Sequence, residues 1–155
     1  MGVLTVETLT EGVHSGDAGG IVPESFRVIR SLIERLEDAA TGRVRVDALH
    51  VEIPEERAAQ AQLVAEVLGN DVYECFPLAG GTKPMGADLA EMVLNRTWRP
   101  VLAVTGADGL PPLALAGNVL RPRTRVKISM RIPPTCDPEA AVAAVKETLE
   151  KDPPH

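Results

Sequence analysis

The feature that most restricts how this chain can fold is a run of strict alternation near its C-terminal end. From Arg121 to Ile132 the odd positions read Arg121, Arg123, Arg125, Lys127, Ser129 and Arg131, and the even ones Pro122, Thr124, Val126, Ile128, Met130 and Ile132. Successive residues of a strand point to opposite faces, so this period of two predicts a strand with one face on an apolar core and a basic face left open. A single strand cannot bury its own apolar side. Other elements must cover the even-numbered residues, and Pro133-Pro134 ends the run.

Three- and four-residue spacings supply the covering elements. After Pro23, the stripe Phe26, Ile29, Ile33 and Leu36, with Val28 and Leu32 beside it, predicts an amphipathic helix ending near Glu37-Asp38 and Gly42. Asp137-Pro138-Glu139 is a helix start, and Ala141, Val142, Val145 and Leu149 give that last helix its stripe. Val3–Thr10 is rich in β-branched residues and predicts a first strand, stopped by a glycine-rich turn. Arg43–Ile53 also alternates, with Val44, Val46 and Ala48 on one face before the phase slips to Leu49, Val51 and Ile53. That predicts a strand with a bulge, or one that ends near Leu49. Pro54–Leu68 predicts a second helix, Asp88 or a neighbour is the cap of a short helix to about Asn95, and Pro100–Thr105 is a short apolar strand.

This order predicts an α+β fold in one domain: a ferredoxin-like antiparallel sheet with helices on one face. The core comprises residues 1–53 and 98–155, and residues 54–97 form a helical insertion. A βαββαβ unit needs a further strand after the last helix. None is present, so the chain reads either as a piece cut from a longer protein or as a divergent topology with the first strand at an edge.

At 155 residues, with 45% hydrophobic and 3% aromatic residues, the core must be aliphatic. A net charge of −6 argues against nucleic acid or an anionic membrane as partner. No apolar run approaches spanning length. Cys75 and Cys136 make no disulfide framework, which predicts a reducing, cytoplasmic setting.

Chemistry is concentrated in the turn from Gly12 to Gly20, where four glycines surround His14 and present it ahead of a helix. The other histidines, His50 and His155, are far from it in sequence. No helical pairing or nearby cysteine makes a metal site. Ser15 beside His14 lacks a hydrolase elbow sequence, and Gly16-x-x-Gly19-Gly20 lacks the lysine or the spacing of a nucleotide loop. On the basic strand, Arg131 stands out because a guanidinium fork suits a carboxylate. On these residues alone, a stand-alone small-molecule-binding regulatory module, a small Ser15–His14 hydrolase and a fragment of a larger site all remain open.

The run Val13-His14-Ser15-Gly16-x-x-Gly19-Gly20-x-Val22-Pro23 closely resembles the HSGxxGG signature of the carnosinase-type branch of the aminoacylase/carboxypeptidase metallopeptidases. Trp98-Arg99-Pro100, Gly106-x-x-Gly109, Gly117-Asn118-Val119-Leu120 and Ser129-Met130-Arg131-Ile132-Pro133 are similar to that family's later landmarks, in the same order. The resemblance implies a lid and dimerisation domain inserted in a two-zinc catalytic domain, which carries the metal ligands and the base. It implies a homodimer acting on dipeptides or related amides, in which His14 reaches the partner's active site and helps polarise the scissile carbonyl. Arg131 would hold the substrate carboxylate and Asn118 would touch the same end of substrate. At Asn118 this sequence departs from the carnosinase pattern, in which threonine is common. The isolated chain is expected to be inactive.

Overall fold

The computed structural model describes residues 1–155. In chain order it forms β1 (Gly2–Glu7), a two-residue β2 (Val13–His14), the single turn α1 (Ser15–Ala18) and α2 (Ser25–Leu36). Then come α3 (Glu55–Leu68), the single turn α4 (Asp71–Glu74), α5 (Leu89–Thr97) and β3 (Val101–Asp108). The last elements are β4 (Val119–Leu120), β5 (Arg123–Arg131) and α6 (Pro138–Glu150).

The alternating strand is the centre of the sheet. β5 pairs antiparallel with β1 on one side and with β3 on the other, giving the order β1-β5-β3. Thr124, Val126 and Ile128 are buried while Arg123, Arg125, Lys127 and Arg131 are exposed, so the period of two sorts the strand as expected. Helices α2 and α6 cover the buried face. Ile29 and Leu36 of α2, Ala141 of α6 and Leu102, Val126 and Ile128 of the sheet share one aliphatic core. Each fully buried Ile or Leu there contributes about 1.5–3 kcal/mol. Asp137 caps α6 by accepting the N–H groups of Glu139 and Ala140 at 2.8 and 3.0 Å. At the other end of α6 the Arg35 guanidinium of α2 donates to the Lys151 and Asp152 carbonyls at 2.5 and 2.7 Å. The two helices are thereby fastened side by side.

Arg43–Ile53 is not a sheet strand, which corrects the sequence reading. Its ladder contact is a single bridge between Val44 and Glu37, and it joins neither β5, both of whose sides are taken, nor the free edges of β1 and β3. The phase slip belongs to a 3₁₀ turn at Asp47–Leu49, which rotates Leu49 onto the same core as Val44 and Val46. A tight turn sets the segment's direction. Asp38 accepts from the Thr41 N–H and hydroxyl, both at 2.9 Å, and from the Arg45 guanidinium at 2.6 Å. The Arg45 partner, followed by Thr41, holds the Asp38 carboxyl down to about 2. Next door, burial pushes Glu37 up.

Helices α3, α4 and α5 bury a second cluster of their own, Ala61, Val72, Val93 and Leu94. Asp88 caps α5 through the Glu91 N–H at 2.9 Å. The outer backbone of β1 is unpaired, as is that of β3. A βαββαβ sheet would carry its last strand beside β1.

One buried polar contact ties α2 to the start of β5. The Ser25 and Thr124 hydroxyls, both wholly buried, lie 2.8 Å apart, and Ser25 donates on to the Arg121 carbonyl at 3.3 Å. Thr124 is then the donor to Ser25. Ser25→Ala strands the Thr124 hydroxyl and is expected to cost about 1–3 kcal/mol in urea unfolding, whereas Thr124→Val leaves Ser25 its carbonyl and costs less. Equal losses from the two substitutions would contradict this polarity.

Candidate functional site

Beyond the Glu7/Arg123 end of the sheet hangs a separate ribbon. Val13 pairs with Leu120 and His14 with Val119, and the Ser15 N–H donates to the Asn118 carbonyl at 2.9 Å. The N–H groups of Thr8 and Leu9 donate to the Pro122 carbonyl at 2.9 and 3.3 Å, which anchors the ribbon to the sheet. His14 and Asn118, about 100 residues apart in sequence, are brought side by side by this pairing. Periodicity could not reveal it, since two-residue strands have no period. The available signal was a Val-containing pair bounded by glycine on each side, Gly12-Val13 and Gly117-Asn118-Val119.

His14 ends β2 and caps α1. Its side chain is 60% exposed, its Nδ1 accepts the Gly16 N–H at 3.1 Å, and Asp17 Oδ2 stands 3.8 Å from the same nitrogen. The α1 turn closes tightly. A Cβ at Gly19 would lie 2.6 Å from the Ser15 carbonyl oxygen, so only glycine fits there. Helix α2 then starts at Ser25 rather than at Pro23. No hydrogen bond joins the Ser15 hydroxyl to His14, whose Nδ1 is already engaged, so a Ser15–His14 nucleophile pair has no geometric basis.

Arg131 lies at the far end of β5, opposite Val101. Arg123 and Arg125 sit 3.8 Å from Glu7 and Asp108, but Arg131 makes no ion pair within the chain. From Arg123 to Arg131 the strand spans about 27 Å at ~3.4 Å per residue, and His14 lies beyond its other end. The structure therefore joins His14 with Asn118 and separates both from Arg131.

At the ribbon junction a polar cleft of about 790 Å³ is lined by Glu7, Thr8, Asp108, Arg121 and Arg123 among others. Arg121 Nε donates to the Gly109 carbonyl at 3.2 Å. Arg121 has a place in this cleft that the alternation pattern alone did not single out. No three His, Cys, Asp or Glu side chains converge to hold a metal ion. The residues present do not fit a zinc centre, and no metal step is assigned to this chain. Nor is any helix long and apolar enough to cross a membrane.

Comparison with known proteins gives the geometry its context. Among curated proteins no sequence match is found. The fold is similar to that of the di-peptidase Dug1p from Saccharomyces cerevisiae (TM-score 0.73, 21% identity) and of human carnosine dipeptidase 1 (0.72, 23%). It is also similar to an M20 family metallo-carboxypeptidase from Sulfolobus solfataricus (0.68, 19%). Each likeness covers 96% of this chain but only 30%, 31% and 38% of those proteins, so the chain spans about a third of their length. The peptidase dimerisation domain model of the M20 peptidases matches residues 3–155, which favours the resemblance over a stand-alone regulatory module. By that match, the chain belongs to the M20 peptidase dimerisation domain family.

Proposed function

We propose that this domain is the lid and dimerisation module of a cytoplasmic two-zinc metallopeptidase that cleaves dipeptides or related amides. The observation that carries the reading is the ribbon itself. It holds an exposed histidine and Asn118 together outside the sheet, where Ser15 makes no hydrogen bond to His14 and no metal-binding cluster forms. Such a histidine is half of a site, and a second subunit supplies the rest. Its imidazole N–H would donate to the scissile carbonyl oxygen as negative charge develops there. Exposed Ile21, Leu113 and Leu115 in the loops flanking the ribbon support its being covered by another domain. The free thiols Cys75 and Cys136 support the cytoplasmic assignment.

Arg131 and the His14 ribbon lie at opposite ends of β5, which is about 27 Å long, and so cannot both grip a dipeptide, about 7 Å long when extended. Each lid would accordingly serve two active sites, giving His14 and Asn118 to one and Arg131 to the other. A homodimer supplies that arrangement through two-fold symmetry. The β3 edge suits the pairing: Val101, Ala103, Val104, Thr105 and Ala107 are exposed, and no charge or proline blunts the edge before Asp108.

The purified chain should therefore sediment as a dimer. Val104→Lys puts two like charges near the two-fold axis at the middle of β3, costs several kcal/mol, and should give a monomer with an unchanged circular dichroism spectrum. A native chain that stays monomeric at high concentration would count against the β3 interface.

A further inference from the structure

We infer that Gly16 is a positioning residue for His14, holding its imidazole with Nδ1 as acceptor so that Nε2 carries the proton and donates outward. In a neutral imidazole one nitrogen donates and the other accepts. The Gly16 N–H can only donate, and it lies 3.1 Å from Nδ1. The proton must then be on Nε2, on the far side of the ring.

The absent side chain matters as much as the N–H. A Cβ on Gly16 would lie 2.9 Å from His14 Cε1 and 3.0 Å from Nδ1, closer than side-chain carbons pack. Any other residue there pushes the exposed ring aside and weakens its bond to the Gly16 N–H. Asp17 acts in the opposite sense. Its carboxylate, 3.8 Å from Nδ1, can only accept, and so can engage that nitrogen only when Nδ1 is protonated. With its side chain 88% exposed, Asp17 is screened by water, and the backbone donor dominates. The facing strand β4, Val119–Leu120, brings no charged group to the ring.

The catalytic meaning of this tautomer rests on the proposed oxyanion role of His14. The tautomer itself is a property of this chain alone, so the two can fail separately. The test is long-range ¹H–¹⁵N correlation of the imidazoles in the labelled 155-residue chain, at a pH where the histidines are neutral. His50 is an internal reference for the same tautomer, since its Nε2 donates to the Val44 carbonyl at 2.8 Å. His155, exposed at the C-terminus, is the unconstrained reference.

His14 should show the single Nε2–H pattern, with a scalar coupling to the Gly16 amide across the N–H···N bond. In Gly16→Ala, the pattern of His14 should move toward that of His155 while His50 stays fixed. Gly81→Ala, where a Cβ meets nothing within 4 Å, should change neither. Should Gly16→Ala not fold, the native pattern and the coupling decide. A native His14 indistinguishable from His155, or one unmoved by Gly16→Ala, would overturn the assignment. If the tautomer holds but His14→Ala leaves the full-length enzyme's kcat intact, the oxyanion role fails and the positioning stands.

Discussion

His14→Ala in the full-length peptidase is expected to lower kcat by about 10²–10³-fold, the range seen when one oxyanion donor is removed, with bound metal unchanged. The expectation follows from where the histidine sits. It is exposed on a ribbon that belongs to neither the sheet nor the helical layer, and its Nδ1 is already engaged by the Gly16 N–H. What remains free is one N–H, a group suited to a developing oxyanion and unable to hold a metal while it keeps its proton. Because charge appears on the carbonyl oxygen only as the transition state forms, KM should change far less than kcat. Metal analysis of the variant separates this role from ligation: loss of metal along with activity would show that His14 is a ligand.

The parts of this fold that could be read from sequence are those whose periodicity and environment agree. β5 is buried on one face along most of its length, so its alternation maps directly onto the sheet. The stripe of α2 maps with a rotation: Ile29 and Leu36 are buried as expected, together with Val28 and Leu32 from its margin, while Ile33 is only partly buried and Phe26 is exposed. Arg43–Ile53 misled for a physical reason. Val44 and Val46 alternate because they touch the core from an extended segment, and a local alternation carries no information about whether a ladder partner exists. Here the segment lays Val44, Val46 and Leu49 on the core and pairs only once, with Glu37, rather than with a sheet edge. The His14 ribbon escaped for the opposite reason: its pairing is real but two residues long.

The site was legible as a set of residues and illegible as a shape. Motif order placed His14, Asn118 and Arg131 along one chain, and nothing in that order distinguishes neighbours from opposite ends of a sheet. Asn118 reaches His14 through the β4–β2 pairing, a contact across about 100 residues. Arg131, much nearer to Asn118 in sequence, is carried away by the length of β5. Extended structure converts a short sequence separation into a long distance, and strand pairing does the reverse.

That separation has a consequence in mixed dimers. Arg131→Ala should lose about 2–5 kcal/mol in kcat/KM toward substrates ending in a free carboxylate, the usual result of removing one partner of a buried charge pair. It should lose little toward a neutral amide, and equal losses on both would remove the carboxylate role. Suppose now that a His14→Ala subunit and an Arg131→Ala subunit are co-expressed with different tags and the heterodimer is isolated. If each lid gives His14 to one active site and Arg131 to the other, both lesions fall in the same site and the second site is intact. The heterodimer should then recover about half the activity of the wild-type dimer, because two-fold symmetry provides two equivalent sites. If one lid's His14 and Arg131 served a single site, every site in the heterodimer would lack one of them. Activity would then stay at the level of the single variants, and the reading of a lid spanning two active sites would be lost, whatever the kcat of either variant alone.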